Sequence, residues 1–538
     1  MSGGLEVYVD WDGRTWTVGG ELVSFTDALD LYENTAYTPR RLSVSVHLGN
    51  VCEFIGQGHH PATAYVRVRA GDNIIARGVA RQMIPGRAGE PTTITLEDGV
   101  NFESAPLPSE RIIQSTRIDV QATLDYREEE LGQIEAERQN AKKVESSLWF
   151  TFLSRDERLA VLEAVYAPAE STWTAYVTKS EGVVYPIVSG NPGRDAAGNL
   201  WPAGKALGVD STVPTLLVAG HACTPGTVWI YGPKKNNKDQ HVWEEFTVSV
   251  TRDGAGTEVT VVDISGASIV EADWVTHPDA QEKDWFFSFG GTSTGLDPSG
   301  PAVFEFFLSR LQGVRVDPAG LGAVRSVLSR YNFDFVLDDV QPAWRLFTEG
   351  VLPLVPVWVV SGLDGISFRH LELDPELAAP RFELQDGNRV AVTSRFVFGS
   401  SDGAEIVNAL TLSFGANRFS GGYRYNMRAD AQGWSWGHLS VNRFGTIAER
   451  METNMVSRYA DARLMARDIL HRKAVDRRRG ELAVDADLYG LGAPRQINVG
   501  DCIRLNAPDE GVNDAPCIVT RITRDGSRTD SVEVIVLA

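Results

Sequence analysis

The sequence predicts a mainly β, multidomain chain with α+β segments: two small related β-barrels near the ends, helical spacers and an inserted β domain. Three observations predict this. Short runs of alternating apolar and polar residues recur near both ends, the period-2 pattern of half-buried strands. Gly (51 residues) and Pro (25) punctuate those runs, as turn residues between short strands do. A length of 538 residues, 43% hydrophobic and 23% charged, is ordinary globular composition with room for about three to five domains.

The elements follow in order. Leu5–Val9 and Thr15–Val18 flank Asp12-Gly13, the signature of a hairpin with an Asp-Gly turn. Leu42–Leu48, Tyr65–Arg69, Ile74–Ala80 and Thr92–Leu96 follow as strands punctuated by Gly71, Gly78, Gly86 and Gly89. Close spacing of short strands suggests a barrel or sandwich over 1–100. Leu124–Lys143 is charged and strand-poor, an exposed helix or arm. Ser154-Arg-Asp-Glu157 is a capping box for a helix ended by Pro168. Asn191–Asp195 and Trp201–Gly204 are loop chemistry, and Phe246–Val250 with Glu258–Val262 flank Asp253-Gly254 as a hairpin. Helices are expected from Ser299 to Gly313, over Gly322–Arg330 and around Ala343–Glu349, followed by a buried strand over Leu352–Val360. Asn388–Leu439 reads as strands, most clearly Val407–Phe414. Ser457–Arg472 is the strongest helix, with Ala462, Met465, Ala466, Ile469 and Leu470 at helical spacing. Asp485–Ala538 reads as strand and turn throughout. Its Gly500-Asp501-Cys502-Ile503 repeats the grammar of Gly71-Asp72-Asn73-Ile74, which suggests two related modules.

These shifts divide the chain into a first barrel (1–100), a helical and charged connector (101–171), an inserted β domain (172–298), a helical and mixed α/β segment (299–390), a strand segment with a long helix (391–475) and a second barrel (476–538).

The formal charge of −20 argues against bulk or stable nucleic-acid binding, because neutralising phosphates takes a basic surface. The opening MSGGLEVYVD lacks the basic and apolar regions of a secretory leader. The most apolar stretch, Gly350–Leu363, is short of the roughly 20 residues of a membrane span and carries Pro353 and Pro356. The expectation is a soluble chain without a transmembrane segment, made in a cytoplasm.

Gly291-Thr-Ser293-Thr-Gly295 matches the nucleophile-elbow expression of hydrolases, but turn-rich residues replace the helix that must follow the serine. Its candidate partners, Asp338 and His370, have no supporting pattern. Asp10-x-Asp12-Gly13 opens like a calcium loop without the later oxygen ligands. His59-His60 on a strand would face opposite ways. Gly232-Pro-Lys-Lys-Asn-Asn-Lys238 lacks the second Gly and the Lys-Ser/Thr of a phosphate loop. Cys52, Cys223, Cys502 and Cys517 contain no CxxC pair. Cys502 and Cys517 are left open between free thiols and a cross-strand disulfide. No catalytic, cofactor or metal site is expected, and the chain reads as a non-enzyme. The remaining candidate is a basic cluster after the strongest helix: Arg472, Lys473, Arg477, Arg478 and Arg479. It is read either as cations opposing the negative end of the helix dipole or as a surface for an acidic partner or passing DNA.

Four stretches together resemble the tail-hub (baseplate hub) proteins of long-tailed bacteriophages. They are the opening EVYVDWDGRTWTV; Leu42–Leu96 with Arg77-Gly78 and the closing TTITLED; Val303–Trp358 with its Val-Asp-Pro step at Val316–Pro318; and Val407 through Arg443-Phe-Gly445 and the Ala460–Arg472 helix into Val499-Gly-Asp-Cys-Ile-Arg-Leu505. The resemblance covers about two-thirds of the chain in order of elements, and the region around 172–290 departs from it. It implies a virion location at the tail tip and a homotrimer in which three chains present six similar barrels to a six-fold tube. The implied partners are the distal tail ring, the end of the tape-measure protein, a central spike or fibre, and DNA in transit through the lumen. The competing reading is a carbohydrate-binding or cell-wall-degrading protein, suggested by 13 Trp and 14 Tyr, which can stack on sugars but also fill β cores.

Overall fold

The computed structural model describes residues 5–97, 184–269, 285–289 and 296–537, apart from short stretches within them, together with strand residues Pro106–Leu107, Thr116–Asp119 and Thr174–Val177. The charged arm of 124–143, the capping-box helix at 154–166 and the Gly291–Gly295 loop lie outside the described residues.

The N-terminal module is a closed barrel. Its strands are β1 (Leu5–Trp11), β2 (Arg14–Ala28), β3 (Arg41–Val46), β4 (Tyr65–Ala70), β5 (Asn73–Ile84) and β6 (Thr92–Glu97). They are hydrogen-bonded in the ring order β1-β4-β5-β6-β3-β2, and β2 pairs back onto β1. The closing hairpin turns at Asp12 (φ 44°) and Gly13 (φ 83°), the two left-handed positions of a type I′ turn. Alternation decides what faces inward: Val7, Val9, Val44, Val46, Val66, Val68 and Ile94 are fully buried, while their strand neighbours face out.

Seven antiparallel strands form a separate sheet in the inserted region: β7 (Gly204–Asp210), β8 (Thr215–Ala219), β9 (Thr227–Lys234), β10 (Asn237–Thr247), β11 (Ser249–Arg252), β12 (Glu258–Asp263) and β13 (Trp285–Phe289). Their order is β10-β9-β13-β7-β8-β12-β11. Phe419, on the turn after Asn417, packs on Tyr231 and Phe286 of this sheet at 5.2 and 5.6 Å between ring centres. The same turn is tied down by Arg418, which pairs with Asp338 and Asp339.

The middle segment contains α1 (Gly300–Leu308), α2 (Pro318–Leu328) and a hairpin of β14 (Val357–Gly362) and β15 (Gly365–His370). Helix α2 starts four residues before the sequence expectation, because Asp317 accepts from the backbone N–H groups of Ala319 and Gly320 and Pro318 takes the first turn. A proline there sacrifices no hydrogen bond. The strand expected from Leu352 begins only at Val357. A π turn (Leu346–Val351) and a 3-10 turn (Leu352–Leu354) precede it, since Pro353 and Pro356 cannot donate to a ladder.

The C-terminal half supplies β16 (Phe382–Gln385), β17 (Val390–Val392), β18 (Val397–Phe398), β19 (Ala409–Asn417), β20 (Gly422–Asp430), β21 (Ala448–Glu452), α3 (Tyr459–Lys473), β22 (Arg478–Asp485), β23 (Cys502–Ala507), β24 (Val512–Arg524) and β25 (Thr529–Val536). One helical turn, Ala486–Tyr489, interrupts the last block, with the Asp485 side chain accepting from the Asp487 N–H. Strands β19, β20 and β21 form a small sheet against α3. The rest form a half-barrel ordered β16-β23-β24-β25-β22-β17, with β18 also on β22.

Counted along the chain, with β17 and β18 taken together as the second strand of the half-barrel, both end modules have the same strand order: first-fourth-fifth-sixth-third-second. They differ at one corner. β1 is antiparallel to β4 and closes on β2, whereas β16 is parallel to β23 and forms no ladder with β17. The second module therefore stays open where the first closes. The two modules share one 13-stranded sheet and one continuous apolar core. Among the described residues, no helix is long and apolar enough to cross a membrane.

Candidate functional site: the seam between the two modules

The seam is made by the length of β2. Its first half, Arg14–Gly20, closes the barrel on β1. Beyond the reach of β1, with β3 still paired to Phe25 and Thr26 on the other edge, its last four residues pair with the end of β24: Phe25 with Arg524, Thr26 with Thr523, Asp27 with Ile522 and Ala28 with Arg521. Phe25 is buried between two guanidiniums, Arg524 at 4.9 Å and Arg40 at 5.6 Å from its ring centre, a cation–π arrangement in an apolar setting.

Both cations are paired. Arg524 donates to Asp530 Oδ2 at 2.8 Å and to the Ile497 carbonyl at 2.9 Å, and it is 2% exposed. Arg40 donates to Asp27 Oδ2 at 2.9 Å and to the Ser361 carbonyl at 3.2 Å. Burial pushes the Asp530 carboxyl up and the Arg524 guanidinium down, and each partner's charge opposes that shift in the other. Such a pair specifies one docking geometry more than it adds stability.

A second knot fastens the half-barrel to the middle segment. Gly500 (φ 81°) turns the chain, and Asp501 accepts from the Asn498 N–H at 2.8 Å, Arg381 at 2.9 Å and Arg369 at 3.2 Å. Asn34, in the link from β2 to β3, donates its side-chain amide to the carbonyls of Leu352, Val355 and Val357. The first two carbonyls belong to the irregular stretch around Pro353 and Pro356, which needs donors from outside itself, and the third opens β14.

Of the basic cluster, Arg472 and Arg477 are buried, and Lys473, Arg478 and Arg479 are partly exposed. Arg472 and Arg477 are each 3% exposed. Arg472 donates to the Pro353 carbonyl at 3.0 Å and lies over the Trp358 ring. Arg477 donates to the carbonyls of Arg472 and His471 at 3.1 Å, satisfying the C-terminal end of α3 as a helix dipole favours. Lys473 pairs with Glu449 at 3.1 Å, Arg478 donates to the Gly511 carbonyl, and Arg479 lies over the Tyr32 ring. Packing, not repulsion, gathers these five cations: each meets a carbonyl, a carboxylate or a ring.

The other sequence candidates are dispersed. Asp10 accepts from Thr15, and Asp12 from His59 at 2.9 Å, while His59 stacks on Phe54. The His60 carbonyl holds Trp11 Nε1. Asp338 pairs with Arg418, and His370 contacts the Pro356 carbonyl at 2.9 Å, so they serve separate networks. Among the described residues no group of three or more His, Cys, Asp or Glu is placed to hold a metal ion. Cys502 stands opposite Ile518 and Cys517 opposite Ile503, so the two thiols point to opposite faces and are free. Burial pushes the Cys517 thiol up to about 12. A groove lined by Asp195, Tyr425, Arg458 and Arg463 runs along the foot of α3. In it the Tyr425 hydroxyl donates to Asp195 at 2.6 Å.

Sequence reasoning missed the seam, although Phe25, Arg40, Arg524 and Asp530 are all visible in the chain. Their meeting depends on β2 outrunning β1, and only the strand lengths carry that signal.

No family model matches the sequence, and no curated protein matches it. Solved structures do. The 43 kDa tail protein of prophage MuSo2 from Shewanella oneidensis aligns at 9% identity and a TM-score of 0.35, over 99% of this chain and 98% of that one. The tail protein from Neisseria meningitidis MC58 aligns at 7% identity and 0.36, over 99% and 96%. A chain of the native gene transfer agent virion aligns at 13% identity and 0.33, over 66% and 85%.

Proposed function

We propose that this chain is a structural protein of a bacteriophage tail, and within it the hub at the tail tip. Three copies form a ring of six similar modules. The ring joins a six-fold tube to a central spike or fibre and surrounds the passage for DNA. The supporting observation is the strand order shared by the two end modules: a chain carrying two like units in one sheet offers six like units in a trimer. Closed rings arise when the same contact repeats around an axis. In this reading the distal tail ring sits on one face of the hub and the spike or fibre on the other, with the tape-measure end in the lumen. The negative charge suits a channel that DNA must pass without sticking.

The test is the mass of the purified chain in solution, alone and mixed with its tail ring. The expected species is three times the 58.9 kDa of one chain, and it comigrates with the ring. A strict monomer that ignores tail components contradicts the proposal.

A further inference from the structure

If two like modules alternate around a ring, the seam seen inside the chain has a counterpart between chains. The shared topology locates it. Inside the chain, the second strand of the first module meets the fifth strand of the second. Between chains, the second strand of the second module (β17 with β18) must meet the fifth strand of the first (β5).

The registers align the two modules residue by residue. Ladder β5–β6 pairs Ala80 with Leu96 and Gln82 with Thr95, skipping Arg81. Ladder β24–β25 pairs Val519 with Val534 and Arg521 with Glu533, skipping Thr520. The same bulge in the same ladder sets Gln82, Met83 and Ile84 on Arg521, Ile522 and Thr523. Burial agrees: Met83 and Ile522 are buried, and the residues on either side of each are exposed. From Leu96 and Val534 the alignment passes to the third strands, where Leu42 matches Gly480 and Arg41 matches Arg479. Thr26 pairs with Arg41, and Val397 with Arg479. Thr26 therefore matches Val397, Asp27 matches Phe398, and Phe25 matches Phe396.

Within the chain Thr26 faces Thr523 and Asp27 faces Ile522. We propose that, between neighbouring copies, Val397 of one chain pairs with Ile84 of the next and Phe398 with Met83, as a short antiparallel ladder that repeats the internal seam. This joint rests on the ring reading above. Both sides of it have an open backbone edge among the described residues: β18 pairs only with β22, although the Phe398 ring lies under the Arg443 guanidinium at 4.4 Å. The β4 ladder on β5 ends at Val79, so the outer side of Gln82–Ile84 has no strand partner among the described residues. The β23 ladder on β24 likewise ends at Ile518, and β2 occupies the edge beyond it. At the internal seam the matched residues include Thr26, Asp27 and Thr523. At the outer positions the chain places Val397 (59% exposed), Phe398 (46%) and Ile84 (51%). Large apolar residues on an open strand edge are a hazard unless another strand covers them. Pro85 follows Ile84, where Arg524 follows Thr523; without an N–H, it ends the ladder there.

A Cys52→Ser chain carrying Ile84→Cys and Val397→Cys tests the joint. Directly opposed residues of neighbouring strands lie within disulfide reach. Mild oxidation is expected to give disulfide-linked species of up to three chains, with the melting curve of the reduced protein unchanged. The same background with Ile84→Cys and Val250→Cys, the latter on the inserted sheet, is expected to stay unlinked. Ile84→Asp is expected to shift the mass towards one chain without altering the circular dichroism spectrum. A trimer by mass that forms no 84–397 link overturns this joint and leaves the ring standing. A monomer by mass overturns the ring, and the joint with it.

Discussion

Arg524 and Asp530 meet at 2.8 Å with 2% and 4% of their side chains exposed, which makes them the most sensitive residues of the internal seam. Replacing Arg524 by Met strands a buried carboxylate. The expected loss is about 3–5 kcal/mol of stability, and pairing the change with Asp530→Leu restores most of it. Urea unfolding of the single and double variants checks both halves. Asp195 offers an electrostatic test. Its carboxyl is held at about 2, below the ordinary 3.8, first by the Tyr425 hydroxyl and then by Asn199. A depressed acid contributes stability that is present above pH 3.8 and fades as the pH falls towards 2. Tyr425→Phe is expected to move the Asp195 midpoint up, read by carboxyl NMR titration; an unmoved midpoint contradicts the assignment. Thiol reactivity follows burial in the same way. Cys52 is exposed, whereas Cys517 is buried with its thiol pushed up to about 12. Alkylation of the native protein should label Cys52 first and Cys517 only on unfolding.

At the scale of elements, helix α2 depends on Asp317, which caps Ala319 and Gly320 and also accepts from the Ser367 hydroxyl at 2.8 Å. Asp317→Ala should cost about 1–2 kcal/mol, seen as a lower melting temperature with the mass of the assembly unchanged. Apolar spacing starts this helix at Gly322 and overlooks the Asp317-Pro318 cap, whereas the Asp12-Gly13 turn and the helical spacing of Ala462, Met465, Ala466 and Ile469 are legible in the sequence. Those features are local, so alternation and turn residues reveal them. The half-barrel is less legible. Its first strands, β16, β17 and β18, have four, three and two residues, too short for periodicity to register. The basic cluster was legible as a cluster, but the contacts of its individual cations were not. Burial of Arg472 and Arg477 is decided by carbonyls at Pro353 and His471, and no spacing rule connects the first of these to residue 472.

At the scale of the whole molecule, one chain carries two versions of one module, which in the proposed ring lets a threefold assembly meet sixfold neighbours. The shared strand order, the matching bulges at Arg81 and Thr520, and the matched Phe25 and Phe396 are three separate marks of that repetition. They could not be read from sequence, because strand order is set by pairing over hundreds of residues. The most direct measurement is an electron-microscopy class average of the purified assembly viewed down its axis. The account predicts a closed ring with three-fold symmetry and six similar lobes around a central opening. A single-chain particle, or a ring whose lobes alternate between unlike shapes, would contradict it.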